Sequence, residues 1–462
     1  MLSDVIAAVS TPRGTGGIAV IRISGNGAVD LAQKLFRSKS GKDISEYSPR
    51  FAIYGDIYDE KSAIDSGILT YYLAPNSYTG EDMVELSCHG GFTVTSMVLS
   101  AVLEKGARMA EGGEFTRRAF INNKIGLTEA EAVGNMLTAE SERAVRLSNR
   151  HINGALREKT EYVSSSLISI ISSVYASIDY PEEDLEDMQD SELLERICRV
   201  REECQGLINT YRSGHAVAHG VNTVIVGKTN VGKSSFFNSL VSAKKAIVTD
   251  IPGTTRDVLE QLAEIDGIAF RLFDTAGIRD KTDDVIEAMG IDIAKEKITS
   301  PETELILALF DISRELDLSD EALIKSLSEV IGEKTVIPIF TKCDKTAVFD
   351  TDKVEKTLGK AYRISSHTGA GIEELKKEIV RSFVTCDSEV EVGAVLTNVR
   401  QLASVKKCIE FLNTAEGLVS SGMKDMSLIE LEGAVNTVGE IDSRTVAEKV
   451  VNEIFSKFCV GK

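Results

Sequence analysis

The sequence has no long apolar run. Among its 462 residues, no uninterrupted hydrophobic stretch approaches the roughly 18 residues that a membrane-spanning helix needs. A membrane protein is therefore not expected. The amino terminus, Met1-Leu2-Ser3-Asp4, has no basic region before its apolar segment, so a secretory signal is not expected there either.

Cysteine and histidine are sparse and show no ligand pattern. The seven cysteines are odd in number and never form a Cys-x-x-Cys pair, and the five histidines form no cluster in the sequence. This argues against a disulfide framework and against a zinc site, and it favours the reducing cytoplasm.

Basic residues are outnumbered. Lys and Arg total 52 against 71 Asp and Glu, which gives a formal net charge of −19. A nucleic-acid-binding protein usually presents a basic face, so any RNA contact must be local or supplied by a basic partner. The acidic run at 182–187 is predicted to be a solvated loop between helices. The length predicts about two to four domains.

The most informative segment is a phosphate-binding loop. Residues 227–234 read Gly-Lys-Thr-Asn-Val-Gly-Lys-Ser, between an apolar run that predicts a buried strand and a segment, 235–240, that predicts a helix. The positive end of that helix would face the phosphates. Lys233 is expected to reach the β- and γ-phosphates, and the Ser234 hydroxyl to bind Mg²⁺.

Four further motifs follow in the order that a GTPase needs. Gly-Thr-Thr-Arg-Asp at 253–257 offers a hydroxyl, Thr255, for Mg²⁺, and Asp-Thr-Ala-Gly at 274–277 places a carboxylate near the metal and an N–H near the γ-phosphate. In 341–344, Asp344 matches the N1–H and amino donors of guanine, which adenine does not offer as a pair. Ser-Ser-His at 365–367 is expected to support the base. Together the motifs predict an α/β P-loop GTPase domain of the Ras-like kind.

Two positions depart from the common pattern. The guanine motif usually opens with Asn. Thr341 keeps one hydrogen-bonding group but loses the amide that ties neighbouring loops together, so we expect guanine preference to survive on Asp344, with looser binding. Ile278 stands where Ras-like enzymes carry the Gln that orients the attacking water. Either the protein hydrolyses GTP poorly or another group orients the water.

The remaining sequence predicts two other domains around this one. Alternating and apolar runs at 5–9, 18–23 and 83–88 predict strands of an α+β domain, with a helix at 93–105. A capping box at Thr128–Glu131 opens a helical region to about Arg212, followed by a linker at 213–220. We predict an N-terminal domain at 1–122, an all-α helical domain at 123–216 and 385–462, and the GTPase domain inserted at 217–384.

The whole chain resembles the bacterial tRNA-modification GTPases of the MnmE (TrmE) family. The resemblance extends beyond the GTPase motifs and ends on a Phe-Cys-Val-Gly-Lys tail, similar to the family's Cys-Ile-Gly-Lys. The segments that carry it lie at 11–17, 22–25, 79–82, 88–91, 112–120 and 458–462.

The resemblance implies a folate site and a dimer. Family members dimerise through the N-terminal domain, which binds a one-carbon tetrahydrofolate. The matching contact residues are Arg22, Glu85, Lys124 and Lys462. Arg and Lys suit the glutamate tail, and a carboxylate suits the pterin donors. Cys459 is either a chemical group beside that pocket or a structural thiol.

The resemblance also implies a potassium-dependent hydrolysis. Family members use a bound K⁺, for which Asn230 is the matching side-chain ligand and Thr249, Ile251 and Thr254 supply carbonyls. Glu287 matches the carboxylate that orients water, and Lys233 completes the catalytic pair. The predicted GTP-binding residues are Asn230, Val231, Gly232, Lys233, Ser234, Ser235, Thr249, Asp250, Ile251, Pro252, Gly253, Thr254, Thr255, Asp274, Thr275, Ala276, Gly277, Thr341, Lys342, Asp344, Ser365, Ser366 and His367.

The function implied by the resemblance is GTP-driven C5 aminomethyl or carboxymethylaminomethyl modification of the wobble uridine of certain tRNAs. The family works with an FAD-dependent partner protein, MnmG (GidA). Two alternatives remain open at this stage. One is a ribosome-assembly GTPase of the Era or Der type, which predicts a basic RNA-binding domain. The other is a non-catalytic GTP-dependent scaffold, which Ile278 favours and Asn230 and Glu287 oppose.

Overall fold

The computed structural model describes residues 4–12, 14–179, 189–241, 260–274, 296–385 and 387–442, and near the carboxyl terminus 451–452, 454–455, 458 and 460–461. The chain divides into two compact units. Unit 1 comprises 1–134, 152–169 and 431–462, and unit 2 comprises 135–151 and 170–430. No helix among the described residues has the length and apolarity to cross a bilayer.

The strands are β1 (Ile6–Val9), β2 (Ile18–Ser24), β3 (Phe36–Ser38), β4 (Ile53–Tyr58), β5 (Ala63–Tyr72), β6 (Met83–His89), β7 (Arg108–Met109), β8 (Val221–Val226), β9 (Glu260–Ile265), β10 (Ile268–Asp274), β11 (Leu305–Asp311), β12 (Thr335–Thr341) and β13 (Tyr362–Arg363). The helices are α1 (Ala28–Gln33), α2 (Phe92–Glu104), α3 (Glu114–Ile121), α4 (Leu127–Leu137), α5 (Glu142–Ile152), α6 (Ala155–Asp179), α7 (Asp190–His219), α8 (Lys233–Val241), α9 (Leu318–Ser328), α10 (Thr351–Leu358), α11 (Ile372–Arg381), α12 (Asp387–Val392), α13 (Val399–Ser420) and α14 (Ser427–Asp442).

Unit 1 is built on a mostly antiparallel sheet. Over the described residues its strand order is β3-β4-β5-β6-β2-β1-β7, and only β7 runs parallel to its neighbour. Alternate residues of the strands, such as Ile21, Ile23 and Leu86, are buried under α1 and α2. This alternation is the pattern of a sheet with one covered face, and it confirms the predicted α+β class of the N-terminal region.

The start of α4 differs from the predicted capping box. Thr128 lies inside the helix, and its hydroxyl donates a 2.6 Å hydrogen bond to Asp442 rather than capping the helix. The carboxylate of Glu129 instead accepts from the N–H of Gly126 at 2.7 Å. The box at Thr128–Glu131 was therefore a wrong prediction. Its hydroxyl serves a contact between segments that are distant in sequence, which local spacing does not encode.

Unit 2 contains a sheet with the order β13-β12-β11-β8-β10-β9 among the described residues. The pairs are parallel except for the β9–β10 hairpin at one edge. Residues 305–311 of β11 are all buried, as expected for a central strand of a parallel sheet covered on both faces. The carboxyl ends of β8, β10, β11 and β12 therefore meet at one edge, where open α/β sheets bind their ligands.

The predicted linker at 213–220 is wrong, because α7 continues to His219 and ends at Gly220, with φ 72°. Ser213 is fully buried, and its hydroxyl donates to the carbonyl of Phe383 at 3.3 Å. A Cβ on Gly214 would lie 2.3 Å from the carbonyl oxygen of Leu396. These small residues permit close helix packing rather than a flexible connection. The domain limits given above stay a prediction.

Candidate functional site

The phosphate loop connects β8 to α8. Its backbone is left-handed at Asn230, with φ 62°, and at Gly232, with φ 103°. Gly227 has φ 148°, and a Cβ there would lie 2.6 Å from the carbonyl oxygen of Leu309. Val231 is buried in the core and anchors the loop to the sheet. The loop conformation therefore depends on its glycines and on one apolar anchor.

The lysine and serine of the loop lie at the start of α8. Lys233 donates hydrogen bonds to the carbonyls of Gly227 at 2.7 Å and Lys228 at 2.8 Å. These bonds place its ammonium within the loop, where the β- and γ-phosphates of a nucleotide bind. Ser234 and Ser235 are exposed on the first turn of α8, and a hydroxyl at this place suits a hard cation such as Mg²⁺.

The guanine motif is tied to the phosphate loop by two side chains. The buried hydroxyl of Thr341 donates to the carbonyl of Val231 at 2.7 Å and is 3.3 Å from that of Phe310. Lys342 donates to the carbonyl of Asn230 at 2.9 Å. The hydrogen-bonding group that Thr341 keeps therefore joins this motif to the phosphate loop, and the expected looser binding of GTP stays a prediction.

Asp344 is held by the loop that follows β13. The hydroxyl of Ser365 donates to its carboxylate at 2.6 Å, and this bond lowers the pKa of Asp344 below its ordinary value. Ser365 is fully buried, and its hydroxyl also accepts from the N–H of Thr368 at 3.2 Å. Asp344 itself is exposed, with Ser366 and His367 in the same loop. The bond from Ser365 therefore favours the ionised form of a carboxylate that is exposed to solvent.

Sequence reasoning missed Asp311, at the carboxyl end of β11. Lys342 donates to its carboxylate at 2.5 Å, and Ser313 does so at 2.6 Å. Burial alone would raise the pKa of Asp311, but these hydrogen bonds outweigh it and hold the pKa below its ordinary value. The sequence did contain a signal for this residue, because Asp311 ends a strand whose other residues are all apolar. Its role is to orient Lys342.

Several predicted residues lie outside the described part of the chain: Thr249, Asp250, Ile251, Pro252, Gly253, Thr254, Thr255, Thr275, Ala276, Gly277, Ile278, Glu287, Cys459 and Lys462. Asp274 is the last described residue of β10 and pairs with Ile225 of β8, beside the phosphate loop. Over the described ranges, no group of three or more His, Cys, Asp or Glu is placed to hold a metal ion.

A second candidate site is a cavity of about 380 Å³ in unit 1. Glu85 and Lys124 line it, and Arg22 donates to Glu85 at 2.7 Å across β2 and β6. The Arg22 guanidinium lies over the ring of Tyr78, 5.2 Å from its centroid. Lys124 donates to the carbonyl of Pro75 at 2.9 Å. Three predicted folate residues are thus brought together.

Other residues of this cavity were not anticipated. They are Arg50, Tyr72, Asn76, Ser77, Tyr78 and Met83. Burial raises the pKa of Tyr78 and also that of Tyr72, so both phenols remain neutral donors near neutral pH. The cavity therefore combines two aromatic walls, two basic groups and one carboxylate. This set suits a flat heterocycle with a negatively charged tail.

The carboxyl-terminal tail contacts the N-terminal sheet within unit 1. Val460 forms an isolated bridge with Gly112, and the carbonyl of Gly461 accepts a 3.0 Å hydrogen bond from the hydroxyl of Ser10. A Cβ on Gly461 would lie 2.2 Å from the carbonyl oxygen of Val9. The glycine of the tail is thus required by close backbone approach.

Comparison with known proteins covers both units. The family described as MnmE helical domain matches residues 127–459, and GTP-binding protein TrmE N-terminus matches residues 5–124. The chain is 38% identical to a tRNA modification GTPase MnmE of Clostridioides difficile, over 100% of both chains. It is 36% identical to the proteins of that name from Acetivibrio thermocellus, over 99% of both chains, and Carboxydothermus hydrogenoformans, over 100% of both. The chain belongs to the MnmE family of tRNA modification GTPases and is a GTP-hydrolysing enzyme.

Proposed function

We propose that this GTPase takes part in C5 aminomethyl or carboxymethylaminomethyl modification of the wobble uridine of tRNA. The observation that carries the proposal is the presence of both sites in one chain. Unit 2 has the phosphate loop and guanine motif joined through Thr341 and Val231, and unit 1 has the cavity beside Arg22 and Glu85. An enzyme that transfers one carbon under control of GTP needs both.

Guanine selection is assigned to Asp344. Its ionised carboxylate accepts from the N1–H and amino group of guanine, and adenine offers no such pair of donors. Ser365 holds the carboxylate in place and favours the charged form. Selectivity of this kind is strong because a mismatched base leaves a desolvated polar group without a partner.

Hydrolysis is assigned to the phosphate loop and to five residues outside the described part of the chain, Thr249, Ile251, Thr254, Thr255 and Glu287. Ser234 and Thr255 would bind the Mg²⁺ that accompanies the nucleotide, and Lys233 would neutralise the β- and γ-phosphates. Asn230, with carbonyls of Thr249, Ile251 and Thr254, would bind K⁺. Such a cation supplies positive charge where negative charge develops during phosphoryl transfer. Glu287 would orient the attacking water, the task that Ile278 cannot perform.

The unit 1 cavity is assigned to a one-carbon tetrahydrofolate. Glu85 would accept from the pterin donors while Arg22 holds it in position, and Lys124 and Lys462 would bind the glutamate tail. The bound folate would supply the carbon. The charge pattern and the cavity of about 380 Å³ support this assignment. The role of Cys459 remains either chemical or structural.

The proposal also includes a partner protein and a second copy of this chain. The acidic net charge of −19 favours a division of labour in which an FAD-dependent partner of the MnmG type carries much of the tRNA contact. We further propose that the chain acts in the cytoplasm as a homodimer through its N-terminal domain. In this scheme GTP hydrolysis drives association and dissociation of domains rather than acting on the tRNA directly.

The proposal is tested by mass spectrometry of tRNA nucleosides from cells that lack this protein. Loss of the C5-modified wobble uridine is expected, with restoration by the wild-type chain but not by Lys233→Ala. A Lys39→Ala variant, which removes only a surface ion pair with Asp56, serves as the matched control and should restore the nucleoside. Unchanged tRNA together with a defect in ribosome assembly would contradict the proposal and favour the Era or Der alternative.

A further inference from the structure

Helix α5, which lies within the predicted limits of the helical domain, packs through Leu147 against the sheet of unit 2. Leu147 is 2% exposed and lies in the same hydrophobic core as Val221 of β8 and Phe270 of β10. The segment 135–151 is accordingly part of unit 2. One apolar side chain thus fixes the helix to the strands that flank the nucleotide site.

One helical turn before Leu147, Arg143 contacts the turn of the β9–β10 hairpin. Its guanidinium lies 3.2 Å from the carboxylate of Asp266 and 2.9 Å from that of Asp387, at the start of α12. Asp266 and Gly267 form the turn, with φ of 50° and 75°. A Cβ on Gly267 would lie 2.8 Å from Cγ of Arg143, so the side chain rests directly on the turn.

A third ion pair joins the segment before α5 to β10. The Nε of Arg271 donates to Glu140 at 2.9 Å, with exposed side-chain fractions of 33% and 37%. Arg271 lies on the strand that ends at Asp274, and it pairs with Asn222 of β8, the strand that leads into the phosphate loop. Glu140 therefore contacts a strand that ends at the nucleotide site.

We propose that Glu140, Arg143 and Leu147 form a coupling surface through which α5 follows the β9–β10 hairpin when GTP replaces GDP. Leu147 holds the helix to the sheet, and the ion pairs fix its register along the hairpin. Partly exposed ion pairs contribute little stability singly. Leu147 lies in a packed core, and a packed core changes between discrete arrangements rather than deforming continuously, so a small displacement of β10 is passed on to α5.

A ligand shifts a conformation only if it interacts differently with the two states. The γ-phosphate is the chemical difference between GTP and GDP. Strand β10 ends at Asp274, the first residue of the Asp-Thr-Ala-Gly motif that is expected to face the γ-phosphate. Displacement of this strand is therefore the step that the coupling surface would transmit. The proposal requires only that the site binds both nucleotides, and it is independent of the tRNA substrate and of folate.

The test is hydrogen exchange of the full chain, loaded with GDP or with a non-hydrolysable GTP analogue, followed at the amides of α5. The wild type should show at least a threefold difference in exchange between the two nucleotides. Glu140→Arg and Arg271→Glu should each abolish that difference, and the charge-reversed double variant should restore it. Glu192→Arg is the matched control, since Glu192 pairs with Arg196 of its own helix, α7.

Nucleotide affinity is measured for every variant, so that loading is known. Should a charge reversal fail to fold, Glu140→Gln and Arg271→Gln remove the same contact without placing like charges together. No nucleotide-dependent difference in wild-type α5 would overturn the proposal. The proposal would also be overturned if both single variants kept the difference in exchange between the two nucleotides. It would be overturned as well if the double variant failed to restore that difference.

Discussion

The hydroxyl of Thr341 donates a 2.7 Å hydrogen bond to the carbonyl of Val231, joining the guanine motif to the phosphate loop. Both residues are buried, at 3% and 1% exposure. An unmade hydrogen bond at such a place costs more than a net bond contributes, because the carbonyl loses its partner away from water. This hydroxyl is the buried link between the two halves of the nucleotide site, beside the more exposed bond from Lys342 to the carbonyl of Asn230.

Thr341→Val removes this hydroxyl and keeps the side-chain shape. We expect GDP to bind more weakly by about 1–2 kcal/mol, or about 5- to 30-fold in Kd, measured with a fluorescent guanine nucleotide. Thr341→Ser retains the donor and should bind within about twofold of wild type. Equal affinities for the valine variant and wild type would contradict the role given to this bond.

Ser365→Ala tests the control of the guanine-selecting carboxylate. The hydrogen bond from Ser365 lowers the pKa of Asp344, so the charged form persists to lower pH than it would without the bond. Guanine binding is present above that pKa and lost as the pH falls through it. The variant should therefore lose GDP binding at a higher pH than wild type, which a titration of Kd against pH measures. If both proteins lost GDP binding at the same pH, the result would argue against this contact.

Glu85→Gln tests the unit 1 cavity. Removing a carboxylate that accepts from a ligand and from Arg22 should weaken binding of a one-carbon tetrahydrofolate by about 1.5–3 kcal/mol, or roughly 10- to 100-fold, as measured by calorimetry. Asp56→Asn is the matched control, because that carboxylate pairs with Lys39 at the surface of the same sheet. Equal weakening in both variants, or in neither, would remove the cavity as the folate site.

Two glycines of α7 offer opposite predictions for stability. A Cβ on Gly214 would lie 2.3 Å from the carbonyl oxygen of Leu396, whereas a Cβ on Gly206 meets nothing within 4 Å. Gly214→Ala should destabilise the fold by about 1–3 kcal/mol through overpacking. Gly206→Ala should stabilise it by about 0.5–1 kcal/mol through helix propensity. The free energy of unfolding of both variants is measured by urea denaturation. A Gly214→Ala variant as stable as wild type would show that α7 is not closely packed at this position.

The sequence predicted those features that depend on short spacing. The phosphate loop, the order of the motifs and the class of each domain follow from a few adjacent residues, and the strands at β1, β2 and β6 match alternating patterns within a residue or two. The features it missed depend on contacts between distant segments. Arg143 reads as a solvated charge on α5, and nothing near it in the sequence points to Asp266 or Asp387.

Small residues were the commonest source of error. Ser213 and Gly214 suggested a linker, yet Ser213 contacts the segment after α11 and Gly214 lies against the segment before α13. Thr341 lacks the amide that usually opens the guanine motif, yet its hydroxyl contacts the phosphate loop. In each case the residue type is consistent with both flexibility and close approach, and only the surrounding structure distinguishes the two.

The proposed hydrolysis mechanism, with a bound K⁺ and a water oriented by Glu287, is tested by the rate of GTP hydrolysis. The rate is measured in KCl and in NaCl at equal ionic strength, for the wild type and for Glu287→Ala. A cation and an oriented water each contribute on the order of 10- to 1,000-fold to such a reaction. We expect hydrolysis at least tenfold faster in KCl, and loss of that activity in the variant. Turnover that is the same in both salts, or unaffected by the substitution, would contradict the assigned mechanism.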